Sequence, residues 1–165
     1  MSILGVIEKL RVDHELDSFD CGKEELNRFL KRSAWTNQQV HSAQTYVLVR
    51  KTVVLGYYSL AAGAVAYADA GERVKKGLAR HPIPVILLAR LALDVTCQKQ
   101  GIGPALLKDA FQRTAQAADT IGARALLVHA KDADAKSFYE HFNFEPSLSD
   151  AYHLLLLMKD LKRML

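Results

Sequence analysis

The sequence predicts one α/β domain over residues 1–165, with a mixed, mostly antiparallel sheet flanked by helices. An apolar strand runs through a glycine loop into an amphipathic helix within Leu91–Leu107. Two β-rich runs separated only by Lys51-Thr52 indicate an antiparallel hairpin. Apolar residues then keep a helical period from Pro104 to Ile121. A chain of this length can bury a substantial core, so the three features fit a single domain.

Alternation, turn residues and helical spacing give the elements of the first half. They are a strand at Ile3–Leu10, a turn at Asp20-Cys21-Gly22 with Asp20 or Cys21 near a helix start, a helix with Leu26, Phe29, Leu30, Ser33 and Ala34 on one face, strands at Thr45–Arg50 and Val53–Leu60, an extension of the second strand over Ala61–Ala70, and a short polar helix or loop at Gly71–Arg80.

The same rules give the elements of the second half. They are an apolar strand within Pro84–Leu93, the helix Pro104–Ile121, a strand at Ala123–Ala130, a helix carrying Phe138-Tyr139, a closing strand at His153–Met158, and a charged tail from Lys159 to Leu165.

Composition narrows the functional class. The formal charge of +4 and the pI of about 9.1 are compatible with a polyanionic partner, and basic residues cluster around Lys31-Arg32 and within Arg73–Arg80. No run of about 18 apolar residues and no signal pattern is present, so no membrane partner is expected. Cys21 and Cys97 lack metal-ligand spacing, so we expect no metal and a reduced, cytoplasmic protein.

The loop Gln98–Gly103 is the strongest chemical signal in the chain. A glycine loop between a strand and a helix places unpaired backbone N–H groups at the positive end of a helix dipole. Glycine permits positive φ and a close approach of the backbone to a ligand. The loop therefore predicts a phosphate-binding site.

The order of the motifs resembles a known family. Gln98-Lys-Gln-Gly-Ile-Gly103 fits a Gln/Arg-x-x-Gly-x-Gly/Ala signature, and the strand Ala123–Ala130 and a helix with Phe138-Tyr139 follow it. This order resembles the acyl-CoA N-acetyltransferases of the GNAT superfamily over about Pro84–Asp160. The resemblance implies a GNAT-like fold whose sheet is splayed at the acyl-CoA site, with acetyl-CoA as cosubstrate.

The resemblance also implies roles for individual residues. Backbone groups of Leu91, Leu93 and Val95 would bind the acetyl and pantetheine arms, and Asp132 would approach the pantetheine. Tyr139 would protonate the departing thiolate, or, in the alternative interpretation, simply pack in the core. The diphosphate would lie on the six loop residues Gln98, Lys99, Gln100, Gly101, Ile102 and Gly103.

The strand before the loop contains no acidic residue. Family members that act on protein lysines often carry a glutamate there, because a lysine amine with a pKa near 10.4 must lose a proton. An α-amine with a pKa near 8 needs less help from a base. Val85–Leu93 contains Arg90 instead, which predicts either a salt bridge to Asp94 or Glu145 or a contact with a substrate phosphate or ribose.

More of the chain resembles one subgroup, the toxins of type II toxin–antitoxin pairs that acetylate aminoacyl-tRNA. The matching residues are Phe19–Gly22, Leu26, Phe29-Leu30, Thr45–Val47, Gly56–Gly63, Pro84-Val85, Leu88–Ala92, Ala125–Ala130, Phe138-Tyr139 and Phe144–Pro146. The resemblance implies a translation-blocking toxin that dimerises and is silenced by a ribbon-helix-helix antitoxin.

For such a substrate, six basic residues are the predicted tRNA contacts: Lys31, Arg32, Arg73, Lys75, Lys76 and Arg90. Two alternatives stay open. One is an acetyltransferase for a small amine or a protein N-terminus, which would not need the basic clusters. The other is a non-catalytic CoA-binding module.

Overall fold

The computed structural model describes residues 5–165, and its strands follow the predicted order. They are β1 (Val6–Lys9), β2 (Gln44–Arg50), β3 (Val53–Val65), β4 (Ile83–Leu93), β5 (Ala125–His129), β6 (Glu145–Pro146) and β7 (His153–Leu157).

Residues 5–165 also contain six α-helices, which lie between or after these strands. They are α1 (Glu24–Arg28), α2 (Ala34–Gln39), α3 (Glu72–Lys75), α4 (Ile102–Ile121), α5 (Ala133–His141) and α6 (Met158–Arg163). A π-helical turn at Phe29–Ser33 joins α1 to α2, and single 3₁₀ turns form at Tyr67–Asp69 and Val95–Cys97.

The strands form one seven-stranded sheet in the order β1-β2-β3-β4-β5-β7-β6. The β1/β2, β2/β3, β5/β7 and β6/β7 pairs are antiparallel, and β4/β5 is parallel. The predicted α/β fold with a mixed, mostly antiparallel sheet flanked by helices is therefore confirmed. A parallel pair needs a crossover connection, which α4 supplies between β4 and β5.

The chain forms two compact units, and it passes between them within β3, β4 and α4. The first unit contains the chain up to Ala61 together with Ala89–Ala110. Tyr57 lies in its core, where the ring contacts Phe19 and Phe29 and the hydroxyl donates to the Leu26 carbonyl at 2.8 Å. The β2–β3 hairpin is closed at its far end by a buried Thr45–Ser59 hydrogen bond of 2.7 Å.

The second unit contains Ala62–Leu88 and Phe111–Leu165. β4 and β5 pair from Val85–Ala125 to Leu88–Val128, and β7 covers the other edge of β5. Arg124 fixes α3 by donating to the carbonyls of Arg73, Val74 and Lys76. The single-domain organisation over residues 1–165 stays a prediction.

The structure differs from the sequence prediction at several boundaries. The helix expected from Pro104 begins at Ile102, so the proline is inside the first turn, where its missing N–H still breaks no intrahelical bond. The predicted tail is helix α6, and the two-residue strand β6 was not predicted. Residues 3–4 of the expected first strand lie outside the described residues, and β1 covers Val6–Lys9.

Candidate active site

The Gln98–Gly103 loop has a backbone shape suited to an anion. Lys99 and Gly101 both have positive φ angles, of 60° and 76°, and they alternate with residues of negative φ. Such alternation turns successive N–H groups toward one side and forms an anion-binding concavity. A Cβ built at Gly101 would meet no atom within 4 Å, so the space in front of the loop is open.

The backbone N–H groups of Gln98–Gly101 stand apart from the side-chain donors of the same loop. Among residues 5–165, no hydrogen bond uses the backbone N–H groups of Gln98, Lys99, Gln100 or Gly101. α4 begins at Ile102, and its first-turn N–H groups add the positive end of a 20-residue helix. The arrangement fits the diphosphate of a CoA molecule.

The side chain of Gln98 has a different role from its backbone. Its Nε2 donates to the carbonyls of Leu93 and Cys21, each at 2.9 Å. Gln100 Nε2 similarly donates to the Thr96 carbonyl at 2.9 Å. Both glutamines therefore hold the loop to its own protein surroundings, and their backbones are left for the ligand.

The end of β4 presents backbone groups away from β3. The Asp94 N–H donates to the Leu55 carbonyl of β3 at 2.9 Å. Because strand residues alternate, Leu91 and Leu93 direct their backbone groups to the opposite side. Pairing of β4 with β5 covers only Val85–Leu88, so the Leu91–Leu93 segment lies beyond it. This supports the predicted contacts of Leu91 and Leu93 with a pantetheine arm.

Val95 fits the predicted role less well. Its N–H donates to the Asp20 carbonyl at 2.8 Å, and the Leu93 carbonyl accepts from Gln98. The Val95 N–H and the Leu93 carbonyl are therefore already bonded within the protein. The Val95 side chain is 50% exposed beside the loop and can contact a ligand through its methyl groups.

Tyr139 is a buried residue of α5. Its ring packs edge-on against Phe138 and Phe144, with centroids 5.2 and 5.3 Å away. Burial raises the pKa of its phenol above the ordinary value. Its hydroxyl has no hydrogen-bond partner among residues 5–165. The ring packs as the core interpretation requires, and the hydroxyl remains a protonated donor.

Asp132 is the N-cap of the same helix. Its Oδ1 accepts from the Ala135 N–H at 2.8 Å, with extended backbone angles at the cap. An aspartate in this position satisfies one of the unpaired N–H groups of the first turn. The carboxylate thus fixes the start of the helix that carries Tyr139.

Arg90 lies on β4 with its guanidinium 3.7 Å from the centroid of the Phe29 ring. Among the described residues 5–165, no carboxylate forms an ion pair with it, so the predicted salt bridge to Asp94 or Glu145 is wrong. The ring face stabilises the cation without using its N–H donors. These donors are suited to a phosphate or ribose.

The basic residues divide into paired and unpaired ones. Arg73 binds Asp160 through two hydrogen bonds of 2.6 and 2.9 Å, and Lys75 lies 3.4 Å from Glu72. Lys31, Arg32 and Lys76 are exposed and form no ion pair with any residue in 5–165. The charge of Arg73, predicted to face tRNA, is therefore largely neutralised within the protein.

The predicted residues are thus distributed over the two units. The loop Gln98–Gly103, the end of β4, Arg90, Lys31 and Arg32 belong to the first unit. Tyr139, Asp132, Arg73, Lys75 and Lys76 belong to the second unit.

Sequence reasoning missed the hydrogen-bonding residues beneath the loop, chiefly Asp94, Asp20 and Asn27. Asp94 is 7% exposed, and burial raises the pKa of its carboxyl, but hydrogen bonds from Thr96 and Asp20 outweigh that effect and the pKa is lowered. The sequence signal for this role was the position of Asp94 directly after an apolar strand. The sequence analysis considered Asp94 only as a salt-bridge partner for Arg90.

The described residues contain neither a metal-binding cluster nor a membrane-spanning helix. Within residues 5–165, no cluster of three or more His, Cys, Asp or Glu side chains could hold a metal ion. No helix in that range is both long enough and apolar enough to cross a membrane. Cys21 and Cys97 are buried, and neither forms a disulfide bond within residues 5–165.

Comparison with known proteins identifies the family. Residues 41–146 match the model of the acetyltransferase (GNAT) domain. The chain is 45% identical over 151 residues to a tRNA-acetylating toxin of Mycobacterium tuberculosis, covering 92% of this chain and 90% of the relative.

Solved structures give the same result. AtaT complexed with acetyl-methionyl-tRNAfMet has a TM-score of 0.90 at 30% identity, covering 96% of this chain and 98% of AtaT. A tyrosine-to-phenylalanine mutant of AtaT, bound to the C-terminus of the antitoxin AtaR and acetyl-CoA, has a TM-score of 0.83 at 30% identity, covering 96% of each chain. The sheet, the glycine loop at the start of α4 and these similarities together establish that the chain belongs to the GNAT family of acetyltransferases.

Proposed function

We propose that this enzyme transfers an acetyl group from acetyl-CoA to the α-amine of the amino acid carried by a charged tRNA, and so blocks translation as the toxin of a toxin–antitoxin pair. The observation that carries the proposal is the 45% identity, over nearly the whole chain, to a tRNA-acetylating toxin. The features of the chain's own residues support each part of the reaction.

The proposed acetyl-CoA site begins at the loop. The unpaired N–H groups of Gln98–Gly101 and the first turn of α4 would hold the diphosphate, as they present donors and a helix dipole at one place. The backbone groups of Leu91 and the N–H of Leu93 would pair with the pantetheine arm like an added strand, because the Leu93 carbonyl already accepts from Gln98. This keeps the thioester extended along β4.

The acceptor supplies its own nucleophile. Its unprotonated α-amine attacks the thioester carbonyl carbon, and the C–S bond breaks as the sulfur takes a proton from Tyr139. The proton lost by the new amide nitrogen passes through solvent and returns Tyr139 to its neutral form. No acidic side chain occurs in β4 between Ile83 and Leu93, so no general base is available on this strand. An ordinary α-amine with a pKa of about 8 is partly unprotonated at neutral pH and needs no such base.

Tyr139 would supply the proton for the leaving group. The CoA thiolate has an ordinary pKa of about 8.5, well below that of a phenol. Burial raises the pKa of Tyr139 further, which keeps the hydroxyl protonated at every physiological pH. With no competing hydrogen bond from residues 5–165, the hydroxyl can donate to the departing sulfur.

The tRNA would be held by the unpaired cations. Lys31 and Arg32 on the π-helical turn, Lys76 after α3, and Arg90 on β4 carry charge that no described carboxylate neutralises. Arg73 and Lys75 would contribute less, since Asp160 and Glu72 already pair with them. Phosphate contacts by such residues make binding salt-dependent.

The partners follow from the same assignment. A toxin of this kind requires an antitoxin, and AtaT binds the antitoxin AtaR in solved structures. We propose that the antitoxin of this chain carries a ribbon-helix-helix DNA-binding domain and that the enzyme works as a homodimer. Since charged tRNA is used by ribosomes, the proposed site of action is the cytoplasm.

Labelled acetyl transfer tests the proposal. Radioactive acetyl-CoA is incubated with the enzyme and total charged tRNA, with deacylated tRNA as the matched control and with free amino acids and polyamines as alternative acceptors. We expect acid-precipitable label only with charged tRNA. Label on a free amine at an equal rate would instead support the small-amine enzyme, and no label on any acceptor, together with CoA binding, would support a binding module.

A further inference from the structure

A hydrogen-bonded brace joins the Asp20–Gly22 turn to the segment that leads from β4 into the loop. The Asp20 N–H donates to Asp94 Oδ1 at 2.9 Å, and the Val95 N–H donates to the Asp20 carbonyl at 2.8 Å. Gln98 Nε2 bridges the carbonyls of Cys21 and Leu93, at 2.9 Å each. The turn is thus bonded to both ends of the segment Leu93–Gln98.

Asn27 fixes the turn from the other side. Its Oδ1 accepts from the Cys21 N–H at 2.9 Å, and its Nδ2 donates to Asp20 Oδ1 at 3.0 Å. The same Asp20 oxygen accepts from the Gly22 N–H at 2.9 Å. Asn27 is only 6% exposed, and its bond with the Cys21 N–H is buried, whereas the Gly22–Asp20 bond lies at the surface. The turn therefore has little freedom to move away from the loop.

Asp94 organises the 3₁₀ turn before the loop. Its Oδ2 accepts from the Thr96 N–H at 3.1 Å and from Thr96 Oγ1 at 2.6 Å, while Oδ1 accepts from Asp20. A buried carboxylate with no cationic partner is costly unless hydrogen bonds satisfy it. Here three donors do so, and they fix the direction in which the chain enters Gln98.

We propose that Asp94 and Gln98 are positioning residues, which hold the Gln98–Gly103 loop in its diphosphate-binding shape by fastening it to the Asp20–Gly22 turn. The inference rests on the acetyl-CoA site proposed above. Lys99 has a positive φ that non-glycine residues rarely adopt, so the loop keeps this shape only if its surroundings impose it. Without the brace, part of the binding energy would be spent on ordering the loop.

Two variants test the inference with two acetyl donors. Asp94→Asn turns one of the accepting oxygens into a donor that faces other donors, and Gln98→Met removes both bridging bonds without adding charge. We expect KM for acetyl-CoA to rise roughly 10-fold to 100-fold in each variant, as for the loss of one or two well-formed hydrogen bonds, with kcat within about 3-fold of the parent. Asp119→Asn, which alters an exposed aspartate on α4, is the matched control and should change neither constant.

The second donor separates positioning from general damage. S-acetylpantetheine lacks the diphosphate, so its kcat/KM should fall clearly less than that of acetyl-CoA in both variants. A small loss is expected in Gln98→Met, because this change also frees the Leu93 carbonyl beside the proposed pantetheine arm. An equal loss with both donors, or an unchanged KM for acetyl-CoA in both variants, would overturn the inference. If Asp94→Asn fails to fold, Gln98→Met decides alone, because the Gln98 side chain is at the surface.

The proposed function is tested by the parent enzyme alone, and the brace is tested by the two variants. If the parent enzyme acetylates charged tRNA, the function stands whatever the variants show. If the parent binds acetyl-CoA but acetylates no charged tRNA, the calorimetric affinity for CoA replaces KM as the readout. The same 10-fold to 100-fold weakening is then expected of the variants, and unchanged affinity in both would overturn the inference.

Discussion

At the scale of single residues, Tyr139 has the most direct proposed role in the reaction, as the proton donor to the leaving thiolate. We expect Tyr139→Phe to keep the fold and the affinity for CoA, because the ring contacts with Phe138 and Phe144 remain. The rate should fall roughly 10²-fold to 10⁴-fold, the usual range for loss of a general acid. Single-turnover kinetics with charged tRNA measure it, with thermal unfolding as the control for folding. A folded variant with the parental rate would leave Tyr139 a core residue only.

The pH dependence of the reaction tests the same residue together with the acceptor. An α-amine reacts only when unprotonated, so kcat/KM should rise with pH and level off near the amine pKa of about 8. Tyr139 must be protonated, and burial raises its pKa, so no decline from its ionisation is expected up to about pH 10. A profile that still rises about tenfold per pH unit above pH 9 would indicate a lysine acceptor instead.

Gly101 tests the phosphate site. Gly101→Asp would place a carboxylate in the open space before the loop, at a φ of 76° that disfavours side chains. We expect the affinity for CoA, measured by calorimetry, to fall by more than about 100-fold through charge repulsion and blocked approach. Gly101→Asn carries the same strain without the charge and should bind better than Gly101→Asp.

Gly122→Asp is the second control for that experiment. Gly122 has a φ of 83° and also faces open space, but it follows the last turn of α4, away from the loop in sequence. Its CoA affinity should equal that of the parent. Equal affinities in the parent and in Gly101→Asp would remove the diphosphate from this loop.

At the scale of elements, the sequence predicts best what is periodic or local. The β2–β3 hairpin joins two β-rich runs through Lys51-Thr52, and α4 repeats its apolar face along its whole length, so both were predictable. The π-helical turn at Phe29–Ser33 was not predictable, because one extra residue in a single turn leaves the apolar spacing of a helical segment almost unchanged. The brace joins Asp20 to Asp94, which are 74 residues apart, through hydrogen bonds that no local sequence pattern predicts.

The pairing of charged residues likewise depends on contacts between distant parts of the sequence. Counting basic residues predicted a cluster at Arg73–Arg80, but Asp160 of α6 is 87 residues from Arg73 and neutralises it. Arg90 was expected to form a salt bridge or to contact a substrate phosphate or ribose, and its guanidinium lies over the Phe29 ring with no described carboxylate as its partner. Sequence reasoning therefore found the right residue types, and only the fold shows which charges are available to a ligand.

The π-helical turn and Lys76 give the prediction for tRNA binding. Lys31→Glu with Arg32→Glu, and separately Lys76→Glu, should weaken use of charged tRNA without changing the affinity for CoA. Removing one phosphate contact should flatten the log–log dependence of activity on salt by about 0.7 to 0.9. Lys51→Glu, at the exposed β2–β3 turn, makes the same charge change and is the control. An unchanged salt slope in all the charge-reversal variants would show that these residues do not bind tRNA.

At the scale of the whole molecule, the residues proposed for cofactor binding and for acid catalysis belong to different units of the fold. The first unit contains the proposed phosphate-binding loop Gln98–Gly103, its brace and the basic π-helical turn, and the second contains the helix with the proposed general acid. The β4 strand and α4 belong to both units. The family fixes the acetyltransferase chemistry, while the absence of an acidic residue in β4 and the unpaired cations favour an α-amine held on RNA as the acceptor.

The central claim is that the acetyl group is placed on the α-amine of a tRNA-bound amino acid. The most direct measurement is mass spectrometry of the 3′ ends released by nuclease digestion, after reaction of the enzyme with charged tRNA and acetyl-CoA. We predict N-acetyl-aminoacyl-adenosine in the digest, and roughly 10²-fold less of it in a reaction with the Tyr139→Phe variant stopped at the same early time. Aminoacyl-adenosine that stays unmodified while a free amine or a base of the tRNA gains the acetyl group would contradict the account.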